Sequence, residues 1–194
     1  QNLCEQHGLK YYPGSEVFLN RDYLDMIDAK LFFTLANSRY LLCEFNVREN
    51  IGTTSRVEDR LYELCIRHYT PIVAHVERYF HEGIDIDRVQ SWLQMGCKVQ
   101  VNRTSIMGLH GKVIQKNAME LLENEMVHVV ATDTHRTNGS RIAKLSDAYD
   151  IIQKRFGEEN AQILTYYNPL HIIENEKLEN MKEVVKKRHL FFRK

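Results

Sequence analysis

Val127-His128-Val129-Val130-Ala131-Thr132-Asp133-Thr134-His135 is the stretch whose reading decides the fold. Its apolar first half suits a buried strand, and it ends abruptly in Asp-x-His before a polar segment, Arg136 to Arg141. A parallel strand delivers such groups to its C-terminal end, where α/β proteins build their sites. Strand side chains alternate faces, so Asp133 and His135 fall on one side. Taken alone, the ending reads equally well as a turn with an exposed imidazole.

Working outward, strands and helices alternate. Predicted strand 40–45 is followed by helix 55–68, strand 71–75 by helix 85–95, strand 97–102 by helix 112–125, and strand 127–133 by helix 140–156. Each helix has an apolar stripe at helical spacing, such as Val57, Leu61, Leu64 and Cys65, or Val89, Trp92 and Leu93. Ser55 or Thr54 caps the first helix, with Glu58 in capping-box position to Ser55. Repeated βα units mean a parallel sheet or a (β/α) barrel. Upstream, residues 2–7 read as the tail of a helix, Leu9–Tyr12 as a strand leading to Gly14–Phe18, and Asp22–Lys30 as a short helix. Downstream, Glu158–Leu164 and Pro169–Glu174 read as two short helices. Lys177–Lys194 reads as a basic helical tail, either packing through Leu190, Phe191 and Phe192 or docking an acidic partner.

Composition narrows the classes. At 194 residues with 43% hydrophobic content and three prolines, the chain is an ordered globular domain. Acidic and basic residues balance at 26 each, which gives no electrostatic footprint for nucleic acid or an anionic membrane. No apolar run reaches the ~20 residues that span a bilayer. Cys4, Cys43, Cys65 and Cys97 form no CxxC pair, and the last three sit among apolar residues; they read as small buried hydrophobes in a reducing, cytoplasmic setting. No glycine-rich nucleotide loop is present.

The strand ends carry the chemistry. Glu16, Glu44, His75, Asp133 and His135 are the first strongly polar groups after successive apolar runs. One such glutamate is ordinarily a solvated strand end, and one such histidine a satisfied core residue. Five at equivalent places describe a metal centre, and a histidine–carboxylate set suits Zn, Mn or Fe. Arg78 stands three residues after His75, and Arg136 and Arg141 follow Asp133 and His135. Guanidinium groups beside bound cations describe an anionic substrate, with a phosphate ester the natural candidate. The competing reading pairs Arg78 with Glu77 or Glu82 at the surface.

Gly14-Ser15-Glu16-Val17, Leu42-Cys43-Glu44-Phe45, Ala74-His75-Val76-Glu77-Arg78-Tyr79, Gln100-Val101-Asn102 and Ala131-Thr132-Asp133-Thr134-His135 occur in an order and spacing that resembles the PHP (polymerase and histidinol phosphatase) superfamily. More closely, the chain resembles the manganese-dependent protein tyrosine phosphatases of bacterial capsule and exopolysaccharide loci. The resemblance implies a distorted, TIM-like (β/α)7 barrel with a trinuclear metal centre over residues 1–176, followed by the tail 177–194. It implies Mn2+, with Fe, Zn or Mg as alternatives, held by Glu16, Glu44, His75, Asp133 and His135. His75, Asp133 and Arg78 would be catalytic, with Arg78 and Arg141 on the phosphate. The family's second phosphate-binding arginine lies in Asp-Gly-Arg; here Asn138-Gly139-Ser140-Arg141 displaces it by one residue. The family's His-x-His strand, Asp-Asp-Gly turn and Ser-x-His strand end are not in the chain, and the resemblance places them before Gln1. The implied substrate is a phosphotyrosine protein, the autophosphorylating kinase that controls polysaccharide assembly, and members commonly form oligomers. A small-molecule phosphoesterase of the histidinol phosphatase kind, or a non-catalytic regulatory module, are the alternatives.

Overall fold

The computed structural model describes residues 4, 6–51 and 56–183. Five parallel strands form one sheet in sequence order: β1 (Glu16–Phe18), β2 (Tyr40–Glu44), β3 (Thr70–Val73), β4 (Lys98–Asn102) and β5 (Val129–Ala131). Helix α1 (Tyr23–Asp28) follows β1, α2 (Val57–Ile66) follows β2 and α3 (Ile86–Gln94) follows β3. Helices α4 (Arg103–Ile106) and α5 (Lys112–Glu123) follow β4, and α6 (Ser146–Phe156), α7 (Glu158–Gln162) and α8 (Asn168–Glu174) follow β5. Each strand therefore pairs with the next one in the chain, the βα arrangement expected of the sequence, and five strands of it lie among the described residues. No helix among them is long and apolar enough to cross a membrane.

The helices cover the sheet with the stripes legible in the sequence. Val57, Leu61 and Leu64 of α2, Val89 and Trp92 of α3, and Ala118, Leu121 and Leu122 of α5 are buried, as are Cys43 and Cys97; Cys65 is half-buried. Trp92 is enclosed by Phe45 and Phe80 at ring-centroid distances of 6.3 and 6.2 Å. Burial of one such large side chain stabilises the fold by roughly 1.5–3 kcal/mol. The Asp85 side chain caps α3 by accepting from the Arg88 N–H.

Several local expectations are corrected. Leu9–Tyr12 is not a strand: Leu9, Tyr11 and Tyr12 are exposed and the segment pairs with no strand among the described residues. Glu16 consequently lies within β1 rather than after a preceding strand. The strand predicted over 127–133 narrows to Val129–Ala131, because Asp133 turns into the left-handed region (φ 49°). The helix predicted from Ser140 starts only at Ser146. The Arg141 carbonyl accepts from the N–H groups of both His135 and Arg136, so 140–145 folds back on the strand end instead of extending the helix. The two short helices after Gly157 run on through a π-helical turn, Ile163–Tyr167. Residues 177–183 are irregular, not helical. The Asn168 side chain bonds the Glu179 backbone and the Asn160 side chain the Lys182 backbone, using up groups that a helix would need, while Leu178 and Met181 pack inward. Within the predicted 2–7 helix only Cys4 and Gln6 are described as helical. The Ser55/Thr54 cap and Leu190, Phe191 and Phe192 lie outside the described residues.

Candidate metal and phosphate site

Register places the first two carboxylates. Glu16 lies opposite Leu42, and Phe18 opposite Glu44. Residues two apart in a strand share a face, so Glu16 and Glu44 are diagonal neighbours on one side of the sheet. His75 comes from the end of β3. Simple alternation would send its ring to the other face, but its backbone is left-handed (φ 35°, ψ 51°) and turns the ring back. A non-glycine residue held there is strained, and such strain concentrates at functional sites. Nε2 of His75 then stands 3.1 Å from Glu16 Oε1 and 3.3 Å from Glu44 Oε2.

Ligand atoms of Glu16, Glu44 and His75 all lie within 4.8 Å of one another. Burial disfavours charge on His75, yet the two carboxylates outweigh it and push the imidazole up to about 9. The site thus concentrates negative potential on one nitrogen and favours a cation there. Two carboxylates and an imidazole are the donor set that borderline divalent metals take, so the residues present fit such an ion.

Asp133 and His135 form a separate cluster. The Asp133 carboxylate, almost enclosed, sits 2.6 Å from Arg141 Nη2 and 3.7 Å from Arg78 Nη1, and His135 Nδ1 lies 3.2 Å from it. Arg141 also donates from Nε to the Asp133 carbonyl at 3.1 Å. The one-residue displacement in Asn138-Gly139-Ser140-Arg141 therefore does not keep this arginine from the strand end. His135 is largely exposed, and neither it nor Asp133 joins the three-residue ligand group. The surface pairing of Arg78 with Glu77 is overturned: Glu77 is fully buried, its carboxyl is pushed up by burial, and it accepts the Asn102 N–H, while Arg78 reaches Asp133.

Gln100 and Asn102 join the two clusters. Gln100 Oε1 accepts the His75 N–H at 2.8 Å, Gln100 Nε2 donates to Asn102 Oδ1 at 2.8 Å, and Asn102 Nδ2 donates to Asp133 Oδ2 at 2.9 Å. Sequence reasoning gave these amides no role, although Gln-x-Asn closing a buried strand is the signal that would find them. Three further residues escaped it. Asn117 of α5 donates to the carbonyls of Glu77 and Phe80 and so clamps the turn bearing His75 and Arg78. Arg103 grips Asp147 and the Ser140 carbonyl, fixing the segment that carries Arg141. His110, in a loop beyond the C-terminal end of β4, has its imidazole held low by burial and then by the charges of Arg78 and Arg141. A histidine between two glycines in such a loop is a legible pattern.

A family model described as capsular polysaccharide synthesis, CpsB/CapC, matches residues 3–174. The tyrosine-protein phosphatase CpsB of Streptococcus pneumoniae is 34% identical over 165 residues, covering 82% of this chain and 66% of its own length. The tyrosine-protein phosphatase YwqE of Bacillus subtilis is 25% identical over 189 residues, 97% of this chain and 73% of its own length. The fold is similar to a solved chain from work on YwqE and CpsB, described there as unique metal-dependent tyrosine phosphatases. The TM-score is 0.81 at 22% identity, covering 96% of this chain and 74% of that one. The chain thus spans just under two thirds of the streptococcal relative.

Proposed function

The chain belongs to the CpsB/CapC family of capsular polysaccharide synthesis, and from that membership we propose that it acts in metal-dependent hydrolysis of phosphotyrosine. The observation that carries this reading is the convergence of Glu16 and Glu44 on Nε2 of His75, an arrangement that attracts a cation beside an arginine-rich strand end. Glu16, Glu44 and His75 would hold a divalent metal, manganese by the family resemblance, which also implies Asp133 and His135 as further ligands. Such an ion supplies Lewis acidity and a water ionised near neutral pH.

The remaining work falls to side chains. Arg78 and Arg141 bind the phosphoryl oxygens and neutralise charge as it develops, the main source of rate in phosphoryl transfer. Asp133 holds both guanidinium groups in place until phosphate arrives. The Gln100–Asn102 bridge keeps His75 and Asp133 in fixed relation. A tyrosine leaving group, of pKa ~10, asks less proton donation than an alkyl alcohol. The natural substrate on this reading is a phosphotyrosine protein, a bacterial tyrosine kinase of the polysaccharide pathway.

Steady-state rates on a phosphotyrosyl peptide and on histidinol phosphate, each with and without added Mn2+, test the proposal. Metal-dependent preference for the peptide is expected, with loss of turnover in His75→Ala. Full activity of metal-stripped His75→Ala protein refutes it.

A further inference from the structure

At the opposite end of the sheet, a pocket of about 540 Å³ opens where β4 and β5 begin. Lys98 starts β4, and His128 lies just before β5. Gln94 follows from the end of α3, Asn124 from the end of α5, and Lys177 and Asn180 from the irregular segment after α8. We propose that this pocket binds a small oxyanion of the phosphate class, with Lys98 and Lys177 on the anion and the side-chain amides completing its hydrogen bonds. The inference is independent of the phosphatase reading, since it uses none of the residues at the strands' C-terminal ends.

The charge balance carries it. The half-buried Lys98 ammonium faces an imidazole nitrogen of the buried His128 at 3.3 Å. That imidazole is neutral, held down to about 3 by burial and by Lys98 itself. Among the described residues neither lysine has a carboxylate within ion-pair distance; Glu125 also lines the opening, without pairing to either. Burial, and then repulsion from Lys177, depress the Lys98 ammonium. A partly desolvated cation with a second cation beside it is unfavourable unless an anion completes the set. Lysines bind phosphate as point charges, and neutral amides supply further donors without adding to the repulsion.

Inorganic phosphate titrated into the isotope-labelled protein, against sodium chloride at matched ionic strength, tests the site by amide chemical shifts. Saturable shifts are expected at Lys98, His128 and 177–181, separate from any at 75–78 and 133–141. Lys98→Gln is expected to weaken the pocket's response about tenfold, the loss of one charge-assisted contact. Should a Lys98 variant fail to fold, Lys177→Gln, at an exposed position, carries the same expectation for the phosphate response. Shifts confined to 75–78 and 133–141, a linear response that never saturates, or an unchanged response in the lysine variants would each overturn the assignment.

Discussion

Replacing Asn117 by leucine tests how the turn carrying His75 and Arg78 is held. Asn117 is fully buried, and its Nδ2 donates to the Phe80 carbonyl at 2.7 Å and the Glu77 carbonyl at 2.9 Å. Leucine keeps the volume and removes both donors. Each stranded carbonyl costs about 1–3 kcal/mol. Against this, Asn117 Oδ1 is itself buried without a partner among the described residues, and its removal returns about 1–3 kcal/mol. With one cost per stranded group throughout, the balance is a destabilisation of about 1–3 kcal/mol, or roughly 4–8 °C in Tm for a central value near 2 kcal/mol in a domain of this size. Trp92 is the only tryptophan and is fully buried, so urea unfolding followed by its fluorescence reads the change directly. Asn117→Asp sharpens the test. It sets carboxylate oxygens against two carbonyls at neutral pH, and a carboxyl in that place has a folded pKa above its unfolded one. Its deficit is therefore largest near pH 7 and shrinks as the pH falls and the group takes up a proton. Leucine and wild-type proteins unfolding within about 0.5 kcal/mol of each other would refute the clamp, since this lies within the scatter of neutral substitutions.

The other expectations concern metal, charge and pH. Glu44→Gln is expected to lower the affinity for added Mn2+ at least tenfold by calorimetric titration; unaltered affinity would remove Glu44 from the ligand set. Arg103→Met leaves the Asp147 carboxylate, which Arg103 holds well below the usual carboxylate range, without its main partner. Asp147 keeps Lys144 at 3.4 Å and the Ala148 N–H, so the substitution is expected to cost about 1.5–3 kcal/mol in urea unfolding, the worth of a charge-assisted hydrogen bond, and to raise KM for phosphotyrosyl peptide by loosening Arg141. His128 is held near 3 by burial and the Lys98 ammonium, so below its ordinary 6.5 the unfolded chain takes a proton that the folded chain refuses. Stability from this group is complete above pH 6.5 and falls by about 1.4 kcal/mol per pH unit below it, about 2 kcal/mol by pH 5. His128→Asn is expected to flatten that slope in urea titrations at the two pH values, and an unchanged slope would show that other groups carry it.

The architecture was legible because the units repeat. Apolar stripes such as Val57-Leu61-Leu64 alternate with short apolar runs, and each run becomes a strand paired to the next. What escaped the sequence was backbone conformation at the strand ends. Nothing local announces that His75 and Asp133 take left-handed angles, because a histidine or aspartate there is held by its surroundings rather than by its own preference. The same cause hid the fold-back of 140–145. Ile142 and Leu145 fit a helical stripe, but the bonds from His135 and Arg136 to the Arg141 carbonyl win over propensity. Leu9-Lys10-Tyr11-Tyr12 has the β-prone residues of a strand without a partner to pair with among the described residues, and pairing decides. At the site, residue type alone singled out Glu16, Glu44 and His75, which the fold brings within contact. Gln100 and Asn102 stood out only as part of a motif, and the supporting roles of Gln100, Asn102 and Asn117 were not legible because their partners are distant in the chain.

Because spatial order in the sheet follows chain order, the two halves of the site become available at different times in a polypeptide that emerges N-terminus first. Glu16 and Glu44 lie on β1 and β2 and His75 just after β3, so the cation-attracting residues all precede β4, and only their supports, Gln100 on β4 and Asn117 on α5, come later. Asp133 and Arg141 arrive only with β5 and the segment behind it. The carboxylate and imidazole residues therefore precede in the chain the arginine that closes on Asp133, and Asn102 is the residue whose side chain bonds the later half to the earlier one.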